Sequence, residues 1–478
     1  MPSTPRILQE HFSTLESTWD HDIIPTLMDY LKIPNRSPAF DPDWETNGYM
    51  DDAMTLIADW CQRQPITDLT LRVLREPGKT PLLYLEIPGQ IDNTILLYGH
   101  IDKQPEMTGW DADKGPWQPV LEQQRLYGRG SADDGYAVFS SLSAIAYLQQ
   151  HQIPHARCVV VIESCEESGS HDLPDYLEQL RTEIGSPDLV ICLDSSCGNY
   201  QQMWGTTSLR GMISGTLQIK TLTEGIHSGM GSGVVPSTTQ IMQQLLQRIE
   251  DPKDGQITLP ELIVDIPNQR QDQIQQAATL LGDEIKAAFP LAEQTQLLSN
   301  DPATLLTNKN WRAALSVIGI AGLPDLSAAG NVTVPELQLK LSMRTPPTCD
   351  VDQAASALKA CLETAPPYHC SVQFDIDETA AGWHAPIPPA WLEQACEQAS
   401  QLFYHQPAVY WGEGGSIPLM AMLSQQFPEA QFLITGVLGP HSNAHGPNEC
   451  LRIDMAKRIT GCVASVIASH YEHYHSGD

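Results

Sequence analysis

The chain has 478 residues, 41% hydrophobic and 18% charged, with a formal net charge of −31 at pH 7. That length suffices for two or three domains with a large core, and the acidic balance excludes nucleic acid and anionic membrane as partners, since both need clustered Lys and Arg. The polar opening stretch Met1 to Glu16 reads as no signal peptide, no apolar run approaches a membrane span, and the eleven scattered cysteines include no Cys-x-x-Cys pair; the expectation is a soluble cytoplasmic protein with reduced thiols.

In chain order, the stretch up to Pro38 patterns as an amphipathic helix ending near Lys32. From there to about Asn199, short apolar runs alternate with helical stretches. Candidate strands are Leu82 to Ile87, Thr94 to Tyr98, Cys158 to Ile162 and Leu189 to Leu193, and the longest helix candidate is Tyr136 to Gln150. This alternation indicates an α/β domain with a largely parallel sheet, in which sites gather at the carboxyl ends of strands. From about Met212 to Phe374 the texture changes. Alternating strands at Met212 to Lys220, Glu336 to Met343 and Cys370 to Ile376 accompany a helix at Thr238 to Ile249 and a Gln-rich helical stretch at Gln269 to Glu284, as in an inserted α+β domain. After Thr379 the α/β texture returns, with helices at Pro389 to Tyr404 and Ile417 to Gln425, a strand at Gln431 to Gly436, and a last helix from Asp454 to His470.

Chemistry-bearing residues sit where those strands end. Thr94-Ile-Leu-Leu-Tyr-Gly-His100-Ile-Asp102 delivers an imidazole and a carboxylate two residues apart. The ring can bind a divalent ion through one nitrogen while a carboxylate fixes the other; Asp102 itself is either a ligand or that orienting group. Arg129-Gly-Ser-Ala-Asp133-Asp134 precedes the long helix, so its acids either cap the helix or share a cation. Val159-Val-Val-Ile-Glu163-Ser-Cys-Glu166-Glu167-Ser-Gly169 ends an apolar strand in adjacent glutamates, and such a pair when buried needs a cation or a proton. One glutamate of the pair would bind metal while the other acts as general base on a water. Leu189-Val-Ile-Cys-Leu-Asp194 closes a strand with a single acid, a cap or a ligand, and Gly439-Pro-His441-Ser-Asn-Ala-His445-Gly-Pro-Asn-Glu449 puts histidines among Gly and Pro, where a core histidine fits poorly. Together His100, Asp133, Glu167, Asp194 and His445 suit two Zn²⁺ or Mn²⁺ ions with a bridging carboxylate. The terminal His470, His473 and His475 read as a solvated helix end.

With these motifs in place the chain resembles the M20 family of dinuclear metallopeptidases, in its carnosinase-like, non-specific dipeptidase branch. The resemblance rests on Gly99-His-Ile-Asp102, Gly128-Arg-Gly-Ser-Ala-Asp-Asp134, Glu166-Glu167-Ser-Gly169, Asp194, Arg210-Gly211, His227-Ser-Gly229, Arg344, Gly412-Glu-Gly-Gly-Ser-Ile-Pro418 and His445 to Glu449, which agree in order and spacing over nearly the whole chain. It implies that His100 and Asp194 hold one ion, that Glu167 and His445 hold the other, and that Asp133 bridges them. It also implies that Asp102 orients His100 and that Glu166 is the general base. By the same resemblance His227 steadies the oxyanion from the lid of the partner subunit, Asn331 reaches the substrate from that lid, and Arg344 with Gly414, Gly415 and Ser416 grips the substrate's free carboxylate. One departure is Gly135-Tyr136, where relatives carry Lys-Gly.

The implied architecture is a catalytic domain split between residues 1–208 and 380–478, with an inserted lid and dimerisation domain at 209–379. The implied reaction is metal-dependent hydrolysis of dipeptides or short peptides by a homodimer holding two divalent ions per subunit. Two alternatives are an N-acyl-amino-acid deacylase of the same family and a non-catalytic metal-binding relative.

Overall fold

A computed structural model describes residues 3–415 and 418–475. The chain forms two compact units, one from Met1–Thr206, Ala385–Tyr410 and Met422–Asp478, the other from Thr207–His384 and Trp411–Ala421.

The first unit is built on a mixed sheet. Its strands run in the order Thr70–Leu74, Leu82–Ile87, Arg157–Glu163, Thr94–His100, Leu189–Cys192 and Gln431–Ile434, after which Thr206 of the Trp204–Leu209 strand pairs with Ile434. The expected α/β architecture is present, with its parallel pairing confined to the four strands from Arg157–Glu163 to Gln431–Ile434. The strands outside them pair antiparallel. All seven residues of Thr94–His100 are buried, which is why that run shows no polar alternation. In register, His100 lies opposite Glu163, Tyr98 opposite Cys192, and Ile434 opposite Cys192. The carboxyl ends of four strands therefore lie at one level, and each following loop emerges on the same rim.

The helix Ala137–Gln150 packs against the Thr94–His100 strand and the C-terminal helix Ile453–His475, which in turn packs on Ala390–Tyr404. Three positions differ from the sequence reading. The N-terminal region is broken into Thr4–Glu10, Phe12–Thr18, a π-helical turn Trp19–Ile23 and Ile24–Leu31; Pro25 lacks the N–H that a continuous helix would use. The last helix runs on to His475, and His470 on it is fully buried against Trp391 and Tyr474 rather than solvated. The Ala137–Gln150 helix starts after Tyr136 with no side-chain cap, so neither Asp133 nor Asp134 caps it.

The second unit is an antiparallel sheet ordered Ala314–Ala321, Glu336–Thr345, Gly211–Lys220 and Ser371–Ala380. Glu336–Thr345 alternates strictly between partly exposed and buried positions. Its buried face, with Leu217 and Ile219, packs on Ile241, Leu245, Leu358 and Leu362 of helices Thr238–Leu246 and Val351–Glu363. The edge strand Ala314–Ala321 escaped the sequence reading because its apolar residues are mostly unburied and show no alternation. All eleven cysteines are free thiols, and no helix among the described residues is long and apolar enough to cross a membrane.

Candidate metal centre

The rim of the first unit gathers His100, Asp133, Glu166, Glu167, Asp194 and His445. Ligand atoms of His100, Asp133 and Asp194 lie within 4.8 Å of one another, and so do those of Asp133, Glu167 and His445. Asp133 belongs to both groups. Its Oδ1 is 3.3 Å from His100 Nε2, and its Oδ2 is 2.9 Å from His445 Nε2. Asp194 Oδ2 is 3.7 Å and Glu166 Oε2 3.9 Å from His100 Nε2, while Glu167 Oε2 is 3.3 Å from His445 Nε2.

Local structure aims these atoms. The His100 Nδ1 donates to the Asp102 main-chain carbonyl at 3.2 Å, with the Asp102 carboxylate 3.5 Å away. A carbonyl only accepts, so Nδ1 is the donor and Nε2 is the nitrogen turned to the pocket. The Asp102 carboxylate also receives the backbone N–H groups of Glu166 (3.1 Å) and Glu167 (3.0 Å), one on each oxygen. One buried side chain thus fixes both the imidazole and the turn carrying the glutamate pair. Asp134 turns away: its Oδ2 accepts from the His100 N–H at 3.3 Å. The departure at Gly135-Tyr136 acquires a purpose, because the buried Tyr136 hydroxyl donates to the Leu193 carbonyl at 2.5 Å and ties the helix start to the residue before Asp194.

The His445 loop is held by a buried ion pair. Arg129 Nη1 meets Glu449 Oε2 at 2.7 Å, and its Nη2 donates to the Gly446 carbonyl at 2.9 Å. The other Glu449 oxygen accepts from the Gly130 and Ala132 N–H groups. His441, Asn443, His445 and Asn448 all have positive φ, from 51° to 68°. Four left-handed residues without a glycine among them mark a conformation that its surroundings enforce, as functional loops commonly are.

The electrostatics point one way. Burial pushes Glu166 up to about 8, with Asp102, Asp133 and Glu163 adding to the rise against His100. Burial, then Asp133 and Glu166, push Glu167 well above the usual carboxylate range. Burial alone would lift Asp133 too, but the two imidazoles on its oxygens hold it low. Burial would depress both rings, yet the carboxylates around them hold His100 and His445 above the ordinary imidazole value. Asp133, Glu166, Glu167 and Asp194 crowd one pocket, and buried carboxylates this close need protons or a cation among them. His100 Nε2 is buried without a hydrogen bond. Two imidazoles turned to this cluster of carboxylates, with Asp133 spanning both rings, fit two divalent cations.

Residues 96–469 match the pattern of peptidase family M20/M25/M40. The chain belongs to that family. Among relatives of this M20 enzyme, the cysteinylglycine-S-conjugate dipeptidase of Corynebacterium striatum is 26% identical over 364 residues, covering 74% of this chain and 76% of its own. The Cys-Gly metallodipeptidase DUG1 of Candida albicans is 24% identical over 477 residues, 95% of each chain. Among solved structures, human carnosine dipeptidase 1 shares the fold with a TM-score of 0.78 at 20% identity, over 98% of the M20 chain and 99% of its own.

The remaining expected residues of the M20 chain lie in the second unit. His227 is exposed, its Nδ1 accepting from the Gly229 N–H at 2.9 Å, and it pairs in a short ladder with Val332, next to Asn331. Arg344 is half-buried in the Glu336–Thr345 strand; burial pulls its pKa down against the pull of Glu378. Gly414 and Gly415 belong to the Trp411–Ala421 segment of this unit, and Ser416 lies outside the described residues. Arg210 donates to the carbonyls of Gly414 (3.1 Å), Asn308 and Arg312, pinning the glycine turn to the end of the Pro302–Asn310 helix. The sequence reading noted Arg210 only as part of a motif. No local pattern announces contacts with carbonyls that distant in the chain.

A cation entering the pocket must displace the protons held on Glu167 and His445. Both groups are held above their ordinary values without metal and lose their protons to it, so metal affinity rises with pH until they are ionised. Titrating metal-free protein with Mn²⁺ or Zn²⁺ by calorimetry in buffers of differing ionisation enthalpy is expected to show proton release on binding, with affinity rising as the pH is raised. No proton release and a pH-independent affinity would contradict this picture.

Proposed function

We propose that this enzyme is a dinuclear metallodipeptidase cleaving the amide bond of dipeptides or short peptides that end in a free carboxylate. The observation that carries the reading is the Asp133 carboxylate, one oxygen facing His100 and the other His445. His100 and Asp194 would hold one ion, Glu167 and His445 the other, and Asp133 would contribute to both; Zn²⁺ and Mn²⁺ suit this mixture of imidazole and carboxylate. The dipeptidase names of the Corynebacterium and Candida relatives support the substrate class.

When bound, the two cations polarise the scissile carbonyl and make water a better nucleophile. Glu166 takes the proton from the attacking water and returns it to the leaving amine. Burial lifts its carboxyl to about 8 without metal, and neighbouring cations would lower it again, leaving a carboxylate that can accept the proton and give it back. Asp102 orients His100 and, through the amides of Glu166 and Glu167, keeps the base and its neighbour in place. Arg344, Gly414, Gly415 and Ser416 receive the substrate's carboxylate, with a guanidinium fork and turn amides as donors. The first unit acts as catalytic domain and the second as lid.

The enzyme works as a homodimer joined through the lid, each lid placing His227 against the oxyanion and Asn331 near the substrate in the partner's site. Supporting this is the edge strand Ala314–Ala321, which leaves Val317, Ile318 and Ile320 about half exposed; an apolar edge of that kind invites pairing with another chain. Eleven free thiols suit a reducing compartment, the cytoplasm.

Glu166→Gln is expected to lower kcat on a dipeptide panel by at least ~100-fold while metal content measured after dialysis stays at the wild-type value. The same panel should be turned over faster than N-acetyl amino acids. Preference for the N-acetyl compounds favours the deacylase reading, and activity surviving in Glu166→Gln removes Glu166 as the base. Mixing inactive Glu166→Gln and His227→Ala protomers is expected to restore part of the activity, since one hybrid site then holds both groups intact. Verified mixed dimers without restoration would show that His227 does not serve across subunits.

A further inference from the structure

Gln104 reaches the same pocket from outside the motifs. Its Nε2 donates to Glu167 Oε2 at 2.6 Å. The amide orientation follows from chemistry, because the opposite flip would set two acceptor oxygens against each other. Glu167 Oε2 is also the oxygen facing His445 Nε2. Gln104 therefore fixes which way the Glu167 carboxylate faces.

The segment carrying Gln104 is pinned on both sides. The Lys103 carbonyl accepts from the Ser37 N–H at 2.9 Å, and the Pro105 carbonyl accepts from Arg129 Nε at 3.0 Å. Lys103 itself is buried and donates through Nζ to the carbonyls of Tyr30 and Ile33. Arg129 also holds the Gly446 carbonyl beside His445 and the Glu449 carboxylate. A single guanidinium thus sets the backbone next to both Gln104 and His445, the two side chains that meet Glu167 Oε2.

We infer that Gln104 is a positioning residue that selectively tunes metal affinity at the Glu167–His445 position. The inference rests on the two-metal reading above. Carboxylates that bind metal depend on their hydrogen-bonding partners for orientation, and losing such a partner typically weakens metal binding by about 10–100-fold.

The test is a calorimetric Mn²⁺ titration of full-length, metal-free wild type, Gln104→Leu, Glu167→Gln and Asp194→Asn, with circular dichroism and melting of each metal-free protein. Wild type is expected to bind two ions, Glu167→Gln to lose one binding step and Asp194→Asn the other. Gln104→Leu is expected to weaken the step lost in Glu167→Gln by about 10–100-fold while the step lost in Asp194→Asn changes less than about threefold. A general structural defect would instead weaken both steps together and lower the metal-free melting temperature. Two wild-type-like steps in Gln104→Leu, or equal weakening of both, overturns the inference while leaving the two-metal reading standing. Fewer than two steps in wild type overturns that reading itself.

Discussion

Asp133, Glu166, Glu167 and Asp194 hold their carboxyl groups in one pocket at the ends of parallel strands, and mutual repulsion there governs what the surroundings must do. Like charges at this separation in a desolvated site cannot all persist without positive charge among them. The pocket answers with two imidazoles, with the backbone amides of Glu166 and Glu167 donated to Asp102 behind it, and with room for cations where His100 Nε2 has no hydrogen bond.

Such a pocket stays in shape only if its walls are fixed, and they are fixed mainly by buried polar links between distant parts of the chain. Arg129 and Glu449 join the Asp133 loop to the His445 loop across 320 positions. Tyr136 joins the same helix start to the strand end before Asp194. These links satisfy buried polar groups completely, so their worth lies in specifying one arrangement rather than in adding bulk stability. Removing one partner of the Arg129–Glu449 pair would leave a buried charge, which is why such pairs behave as all-or-nothing devices.

Much of this is legible in the sequence. Thr94–His100, Arg157–Glu163 and Leu189–Cys192 are apolar without interruption because both faces of the sheet are covered, and each is followed within a few residues by an acid. That pairing of apolar run and terminal carboxylate is local, so sequence alone brought His100, Glu167 and Asp194 together on one rim. His445 was visible because Gly and Pro around it exclude a helix or strand interior. What escaped has a common cause. Gln104 meets Glu167 across 63 positions and Arg210 meets Gly414 across 204, and such contacts leave no periodicity to read. The edge strand Ala314–Ala321 has no covered face to impose alternation, and the break at Trp19–Ile23 follows from one proline in an otherwise regular amphipathic pattern. Asp134 showed the opposite difficulty: beside Asp133 it looked equivalent, but it turns to the His100 amide instead.

Asp133, with one carboxylate oxygen facing His100 and the other His445, would stand between two metal ions. Anomalous X-ray diffraction at the metal edge, from crystals of the Mn²⁺- or Zn²⁺-loaded protein, tests it most directly. Two peaks are expected, one against His100 and Asp194 and one against Glu167 and His445, with a different Asp133 oxygen on each. A single peak, or peaks elsewhere in the chain, would contradict it.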